Sequence, residues 1–374
     1  MQQANIYDYY PFVMGSAPKP VTIINGKPTL YFGGVGYYQL HSHPEVIKAA
    51  NDATERYGMG SATSRSYTGM TQLHFDVECM AARYFGTEDA AYLPSGYLSN
   101  VAGIQALRVM NLFDKVYIDE IAHYCNMDGA NSVRTPAFIF KNNDPAHLLS
   151  LMKDTLKASE RPLIVTDGLF SVYGNLACIP ELLSLAEQYD GIVWIDDAHL
   201  AGVAGDNGRG AYEYFNVKSP RLFMGTTLSK AFGGFGGIIP GTKEFIKTVR
   251  AGNVLKGASQ PPASAAAASL KGIEILMANP DMRQQLWRNA RRLKAGLNAI
   301  GLKVDENYFP MAAFTTNDPE NMKRIHKGLL DRNIFIQFST YVCADLAGTL
   351  RMVVFSTHTN EQIDSLIHSL KELV

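Results

Sequence analysis

Apolar residues in HPEVIKAANDATERYG (residues 43–58) and LHFDVECMAARYFG (residues 73–86) recur at about every third or fourth position, which predicts two amphipathic helices. Farther along the period changes. Short runs that are apolar throughout, each closed by turn residues, occur at AAYLP, KVYID, PLIVTDG, GIVWIDD and RLFMGTT. A strand covered on one face alternates, whereas a strand apolar at every position is covered on both. Such runs between helical segments predict an α/β architecture with a mostly parallel sheet. After Pro261-Pro262 come two long helical segments, a strand at PMAAFTT, a helix, IFIQF, a strand at LRMVVFS and a terminal helix. That order suits a smaller α+β domain. The expected division is an arm over residues 1–43, a large domain over 44–262 and a small domain over 263–374. The arm, rich in Pro, Gly and Tyr, carries too little pattern to fold alone. It is expected to lie across the large domain or a partner subunit.

The totals narrow the class. With 374 residues the chain is long enough for two domains and a large core. It carries 34 basic and 35 acidic residues, so no excess charge points to nucleic acid or an anionic membrane. No apolar run approaches the roughly 20 residues of a membrane helix. The start, MQQANIYDYYPF, has neither a basic region nor an apolar stretch, so no secretory signal is expected. Cys79, Cys125, Cys178 and Cys343 are scattered and form no CxxC pair. A reducing, cytoplasmic setting without structural zinc is the expectation.

In open α/β sheets, function gathers at the carboxyl ends of the strands. Polar residues sit at such ends here: Ser95-Gly96, His123, Ser171, Asp196 to His199, and Thr227 to Lys230. Asp196 and His199 in VWIDDAHLAG fit an acid/base pair, a metal site or a merely capped strand end. No further ligands follow at metal spacing. In YLPSGYLSN a strand ends at Ser95-Gly96 and a helix follows, presenting backbone N–H groups that can cradle a phosphate. A plain strand-to-helix turn would read the same way. The stretch TTLSKAFGGFGG sets Lys230 among small residues, where another molecule can approach it closely. It is not a dinucleotide fingerprint, because the third glycine of GxGxxG is missing, and no GxxxxGK[ST] loop occurs. A lysine nucleophile forms a Schiff base with a carbonyl group. Pyridoxal phosphate needs such a lysine, a carboxylate for its pyridine nitrogen, a phosphate cradle and a ring-stacking partner. All four residue types are present.

In combination, GMGSATSRSYTG, LPSGYLSN, DEIAHYCNMDG, VTDGLFSVYGNLACIPE, IDDAHLAGVAGDNGRG, TTLSKAFGGFGG and LRMVVFSTHT resemble the α-oxoamine synthases, a family of fold-type I pyridoxal-phosphate enzymes. The resemblance runs from about His43 to the C-terminus. It implies a mostly parallel central sheet between helices and a smaller α+β C-terminal domain. It also implies pyridoxal 5'-phosphate as cofactor, a homodimer with shared active sites, and condensation of an amino acid with an acyl-CoA or other acyl thioester. Carried over by position, Lys230 resembles the Schiff-base lysine and Asp196 the partner of the pyridine nitrogen. His123 falls where the family stacks a histidine on the ring. Ser171 and His199 match groups that bond the phenolic oxygen. Ser95, Gly96 and Tyr97 match the phosphate turn, and Thr227 a further phosphate ligand. Arg351 matches the arginine that grips the amino acid carboxylate, a task suited to a bidentate guanidinium. Lys230, His123, Asp196 and His199 form the expected catalytic set, with no metal.

The chain also departs from the family pattern. Val35, in GVGYYQL, stands where most members have an asparagine. Gly257-Ala258 replaces a Ser-Thr pair expected to reach the neighbouring subunit's phosphate. Tyr124 and Cys125 replace the usual small pair after the stacking histidine. The cofactor core is retained, and the acyl-donor side is altered. Two other readings therefore stand beside the condensing enzyme. One is an aminotransferase, aldolase or racemase working without CoA, and the other a non-catalytic subunit of an oligomer. Intact Lys230 argues against the second.

Overall fold

The computed structural model describes residues 12–316, 318–339 and 348–374. Cys343 and the first part of the arm lie outside the described residues. The chain packs as two units, one formed by residues 44–171 and 175–280, the other by 12–43, 172–174 and 281–374.

The smaller unit begins with β1 (Val21–Ile24) and β2 (Lys27–Tyr31), paired antiparallel with Ile24 opposite Lys27. The two-residue loop between them is Asn25-Gly26, with φ of 48° and 78°. Two successive positive φ values make the turn whose twist matches a hairpin, and Asn-Gly is the pair that adopts it most readily. β2 pairs in turn with a strand of its own unit, as described below.

The larger unit holds β3 (Asp89–Leu93), β4 (Lys115–Asp119), β5 (Ala137–Phe140), β6 (Pro162–Asp167), β7 (Ile192–Asp196), β8 (Leu222–Thr227) and β9 (Gly237–Gly241). They form one sheet in the order β3-β9-β8-β7-β6-β4-β5. β9 alone runs against its neighbours, so the carboxyl ends of the others open on one edge. Every residue of β6 and β7 is buried. Because successive side chains point to opposite faces, both faces are covered. The helix Gly96–Val109 packs on β8 and β9, and Ile179–Gln188 packs on β6 and β7. Ile104, Leu107, Phe113, Val116, Leu163, Val165 and Trp194 meet in the core between them.

The expected boundary at 262 moves to 280. The helix Ala263–Ala278 buries Ala266, Ala267, Ile273 and Leu276, and it packs on the helices Pro44–Tyr57 and Gln72–Phe85 of the larger unit. Small alanine side chains permit that close packing, and they bind the helix to the unit it follows.

The rest of the smaller unit contains β10 (Met311–Phe314), β11 (Ile334–Phe335), β12 (Gln337–Ser339) and β13 (Thr349–Val353). β13 lies between β10 and β12, antiparallel to both, while β11 pairs parallel with β2. Phe32, Leu293, Leu297, Met322, Leu350 and Leu366 are among its core residues.

In this unit His358 is 3% exposed and lies stacked with Phe32 and Phe355, ring centroids 4.3 Å and 4.9 Å away. Its Nδ1 accepts the Phe355 N–H at 2.8 Å, and its Nε2 faces the Tyr31 carbonyl at 3.1 Å. Both ring nitrogens are satisfied in the neutral form. Burial pushes the imidazole down to about 4, opposed only by the bond to Tyr31. Above pH ~6.5 the folded and unfolded chains are both neutral at this site, so it adds no pH dependence. As the pH falls from ~6.5 toward 4, only the unfolded chain takes the proton, and stability should fall by up to about 3 kcal/mol. Urea unfolding across that window should show a slope steeper by one proton than His358→Asn, whose side-chain oxygen can still accept the Phe355 N–H. Equal slopes would rule this out.

Candidate active site

Two neighbouring strands bring carboxylates together at the open edge of the large sheet. Asp196 ends β7 and lies opposite Asp167, which ends β6. Asp196 Oδ2 accepts from Asn100 Nδ2 at 2.8 Å and from the Cys125 thiol at 3.2 Å, while Oδ1 accepts the Ala198 N–H at 3.1 Å. Asp167 Oδ1 accepts the His123 N–H at 3.0 Å and the Asn126 amide at 2.9 Å. Burial, reinforced by the Asp196 charge, raises the Asp167 carboxyl well above the usual carboxylate range. Two ionised carboxylates so placed would repel, which favours a proton on Asp167.

His123 caps the helix Tyr124–Ser132, its Nδ1 accepting the Cys125 N–H at 3.3 Å. Burial lowers the affinity of the ring for a second proton; Asp196 opposes this and the Lys230 charge adds to it. Lys230 follows β8, and its Nζ lies 2.8 Å from His199 Nε2. Thr227 Oγ1 lies 2.6 Å from Ser229 Oγ and donates to the Gly236 carbonyl at 3.0 Å. Ser95 caps the helix Gly96–Val109 by accepting the Leu98 N–H at 3.2 Å. A Cβ at residue 96 would stand 2.7 Å from Thr227 Cβ. Glycine there lets the helix start meet the end of β8.

These groups line one cavity of about 240 Å³. Of the sequence-expected residues, Ser95, Gly96, Tyr97, His123, Asp196, His199, Thr227 and Lys230 border it, with Cys125, Asp167 and Ser229 in addition. Ser171 is half-buried and not among the lining residues. Arg351 belongs to the smaller unit. Asn100 and Asp167 escaped the sequence reading, although both lie in motifs it contains. Asn100 is one helical turn beyond Gly96, and Asp167 ends a strand just as Asp196 does. A larger cavity, about 380 Å³, is bordered mainly by apolar groups such as Ile195, Tyr212, Phe223 and Pro240. Its lining holds one amine, Lys218, and no imidazole.

His123, Cys125 and Asp196 are also compact enough to be weighed as metal ligands. Their contacts of 2.9 Å and 3.2 Å are hydrogen-bond lengths. Tetrahedral zinc, with bonds of about 2.0–2.3 Å, would hold the same atoms roughly 3.5 Å apart.

In the smaller unit Arg351 lies in β13, 6% exposed, between β10 and β12. Nη1 donates to Gln337 Oε1 at 3.0 Å, and Nη2 approaches Met311 Sδ at 2.8 Å. Its Nε has no hydrogen-bond partner among the described residues, and no described carboxylate forms an ion pair with it. Burial lowers its proton affinity, yet a guanidinium stays charged in proteins. A buried cation left unpaired is costly, so such an arginine is prepared for an anion.

An amine, a hydrogen-bonded carboxylate and a helix start, converging at the carboxyl edge of a mostly parallel sheet, define a fold-type I pyridoxal-phosphate transferase. The donor set fits that cofactor. The family model for aminotransferase class I and II matches residues 34–370. The 8-amino-7-oxononanoate synthase of Thermoanaerobacter pseudethanolicus is 30% identical over 364 residues, covering 96% of this chain and 91% of that protein. An enzyme of the same name, numbered 1, from Bacillus subtilis is 30% identical over 356 residues, with 94% and 90% covered. A solved serine palmitoyltransferase of S. paucimobilis with PLP bound superposes with a TM-score of 0.91 at 26% identity, over 97% of this chain and 92% of that one. The chain belongs to the aminotransferase class I and II family, in its α-oxoamine synthase branch. It is a PLP-dependent acyltransferase that joins an amino acid to an acyl thioester with loss of carbon dioxide. This decides against the reading without an acyl donor.

Proposed function

We propose that the 240 Å³ cavity is where the cofactor acts, and that an acyl-CoA is the thioester. The observation that carries the reading is the meeting of Lys230, His199, His123 and Asp196 in one cavity beside a helix start. Bound PLP supplies an electron sink that weakens bonds at the amino acid Cα. Lys230 would hold the cofactor, and its amine would be the base that takes the Cα proton. His199, within 2.8 Å, orients its amine. Asp196 keeps the pyridine nitrogen protonated, and His123 lies against the ring. Ser95, Gly96, Tyr97 and Thr227 would hold the phosphate and His199 the phenolic oxygen, while Ser171, outside the cavity lining, takes no part. Arg351, buried without a carboxylate among the described residues, takes the substrate carboxylate.

The chain is proposed to act as a homodimer. Tyr67, Tyr124 and Phe235 are large side chains left 82%, 51% and 51% exposed. Gly257 has open space where a side chain would stand. With no hydroxyl at 257–258, the phosphate is held mainly by its own subunit. Among the described residues no helix is long and apolar enough to cross a membrane. Cys79, Cys125 and Cys178 are free thiols. Both observations support a cytoplasmic place.

A panel of amino acids, each offered with and without acyl-CoA, tests the reaction through release of free thiol and carbon dioxide. One amino acid should give both products in equal amounts, and only with the thioester present. A keto acid formed without thiol release would overturn the reading. Light scattering at the same concentration reads the assembly, and a fully active monomer would remove the shared site.

A further inference from the structure

Cys125 is 1% exposed, and its sulfur contacts both groups assigned to the cofactor ring. It lies 2.9 Å from His123 Nδ1 and 3.2 Å from Asp196 Oδ2. A third neighbour fixes the direction of these contacts. The Trp194 indole N–H can only donate, and it reaches Asn100 Oδ1 at 2.8 Å. The amide nitrogen of Asn100 therefore faces the other way, 2.8 Å from Asp196 Oδ2 and 3.2 Å from Cys125 Sγ. The sulfur thus accepts from Asn100, and its own proton lies between an imidazole nitrogen and a carboxylate oxygen. Since Nδ1 of His123 also accepts the Cys125 N–H, that nitrogen is bare and the ring proton is on Nε2. Burial first, then the Asp196 charge and hydrogen bond, drive the thiol far above its ordinary range. The bridging proton stays on sulfur at neutral pH.

We propose that Cys125 is a positioning residue, its thiol bridging His123 to Asp196 so that Nδ1 has a second donor and the carboxylate keeps one orientation toward the cofactor. The inference rests on the reading that both groups face that cofactor. A thiol is a weak donor. It orients Asp196 while withdrawing less charge from it than a hydroxyl would, so the carboxylate remains a strong partner for a protonated ring nitrogen. A residue of the same size without a proton to give, or a smaller one, would leave Nδ1 and Oδ2 facing each other with nothing between them.

The test uses the full chain in two forms, holoenzyme and the apoprotein prepared from it, with histidine labelled at the ring nitrogens. In wild-type apoprotein the His123 resonances should show a bare Nδ1 and a protonated Nε2. Cys125→Ala removes the donor that favours neutral imidazole, so the His123 midpoint should rise by about half a unit or more. The backbone N–H of residue 125 still donates to Nδ1, so the tautomer should persist, while the cofactor should bind roughly tenfold more weakly. Cys125→Ser restores a side-chain donor and should return the midpoint and the affinity toward wild type. If Cys125→Ala does not fold, Cys125→Val, close in size and without a side-chain donor, takes its place. An unchanged His123 midpoint and cofactor affinity in the variant without a donor would reduce Cys125 to a space-filling role. The two readings fail differently. A wild-type chain that binds no PLP would sink the cofactor assignment, whereas an apoprotein without the single tautomer would sink the bridge.

Discussion

Replacing Lys230 with alanine should abolish turnover, with a loss of about four orders of magnitude or more, and remove the borohydride-fixed cofactor adduct. In the proposed mechanism two tasks fall on this one amine, holding the cofactor covalently and taking the Cα proton. General bases alone contribute ~10²–10⁴-fold. The fold should survive the change. Lys230 is only partly buried, and its Nζ lies 2.8 Å from His199 Nε2. Asp196 keeps its bonds from Asn100, Cys125 and the Ala198 N–H without it. The thermal midpoint of the apoprotein should therefore stay close to wild type. That separates loss of chemistry from loss of structure. Peptide mapping after reduction is the decisive check. An adduct retained on another lysine would overturn the assignment, and so would substantial turnover by the alanine variant. A small primary amine added to Lys230→Ala should recover a part of the activity, since the missing group is a base in an otherwise complete cavity.

Much of this site was readable because chemistry and strand pattern coincide in the sequence. The runs AAYLP, KVYID, PLIVTDG, GIVWIDD and RLFMGTT became β3, β4, β6, β7 and β8. Each is buried enough to show continuous apolar character. Two strands of this sheet escaped notice despite their apolar residues. β5, AFIF, is the edge strand with Ile139 55% exposed, and β9, GIIPG, is short and framed by glycines. β1 and β2 were discounted with the whole arm, although VTIINGKPTLY carries the Asn-Gly hairpin signal at its centre. The cofactor-facing residues were legible one by one. Their supports were not, because Asn100, Cys125 and Asp167 act through contacts that join a helix start, a helix cap and two strand ends. No spacing along the chain encodes such contacts. The identity of Arg351 was likewise legible, while its burial without an ion-pair partner among the described residues required the three strands around it.

Asp196→Asn and Asp197→Asn should differ by about three orders of magnitude in kcat/KM, although the two residues are adjacent. Adjacent side chains at a strand end point to opposite faces. Asp196 borders the polar cavity, whereas Asp197 is fully buried with Oδ2 accepting the Ala211 N–H at 3.1 Å. A Cβ at Gly210 would stand 1.7 Å from that same Oδ2. Asp197 is therefore a packed cap on the short helix Ala211–Tyr214. Burial raises its carboxyl well above the usual carboxylate range, which favours the protonated form. Asparagine there matches both the shape and the charge of the protonated acid, and activity should change only a few-fold. At residue 196 the same substitution removes an anion in use. The new amide can still accept one bond, but it cannot serve Asn100, Cys125 and a protonated ring nitrogen together. It also sets its own N–H groups against neighbouring donors. A loss of ~10³-fold corresponds to about 4 kcal/mol of transition-state stabilisation, the scale of a charged hydrogen bond lost in a buried site. Cofactor affinity should weaken in the Asp196 variant and hold in the Asp197 variant, read by absorbance titration of the apoproteins. Equal losses in the two variants would mean that the face assignment is wrong, and with it the role given to Asp196.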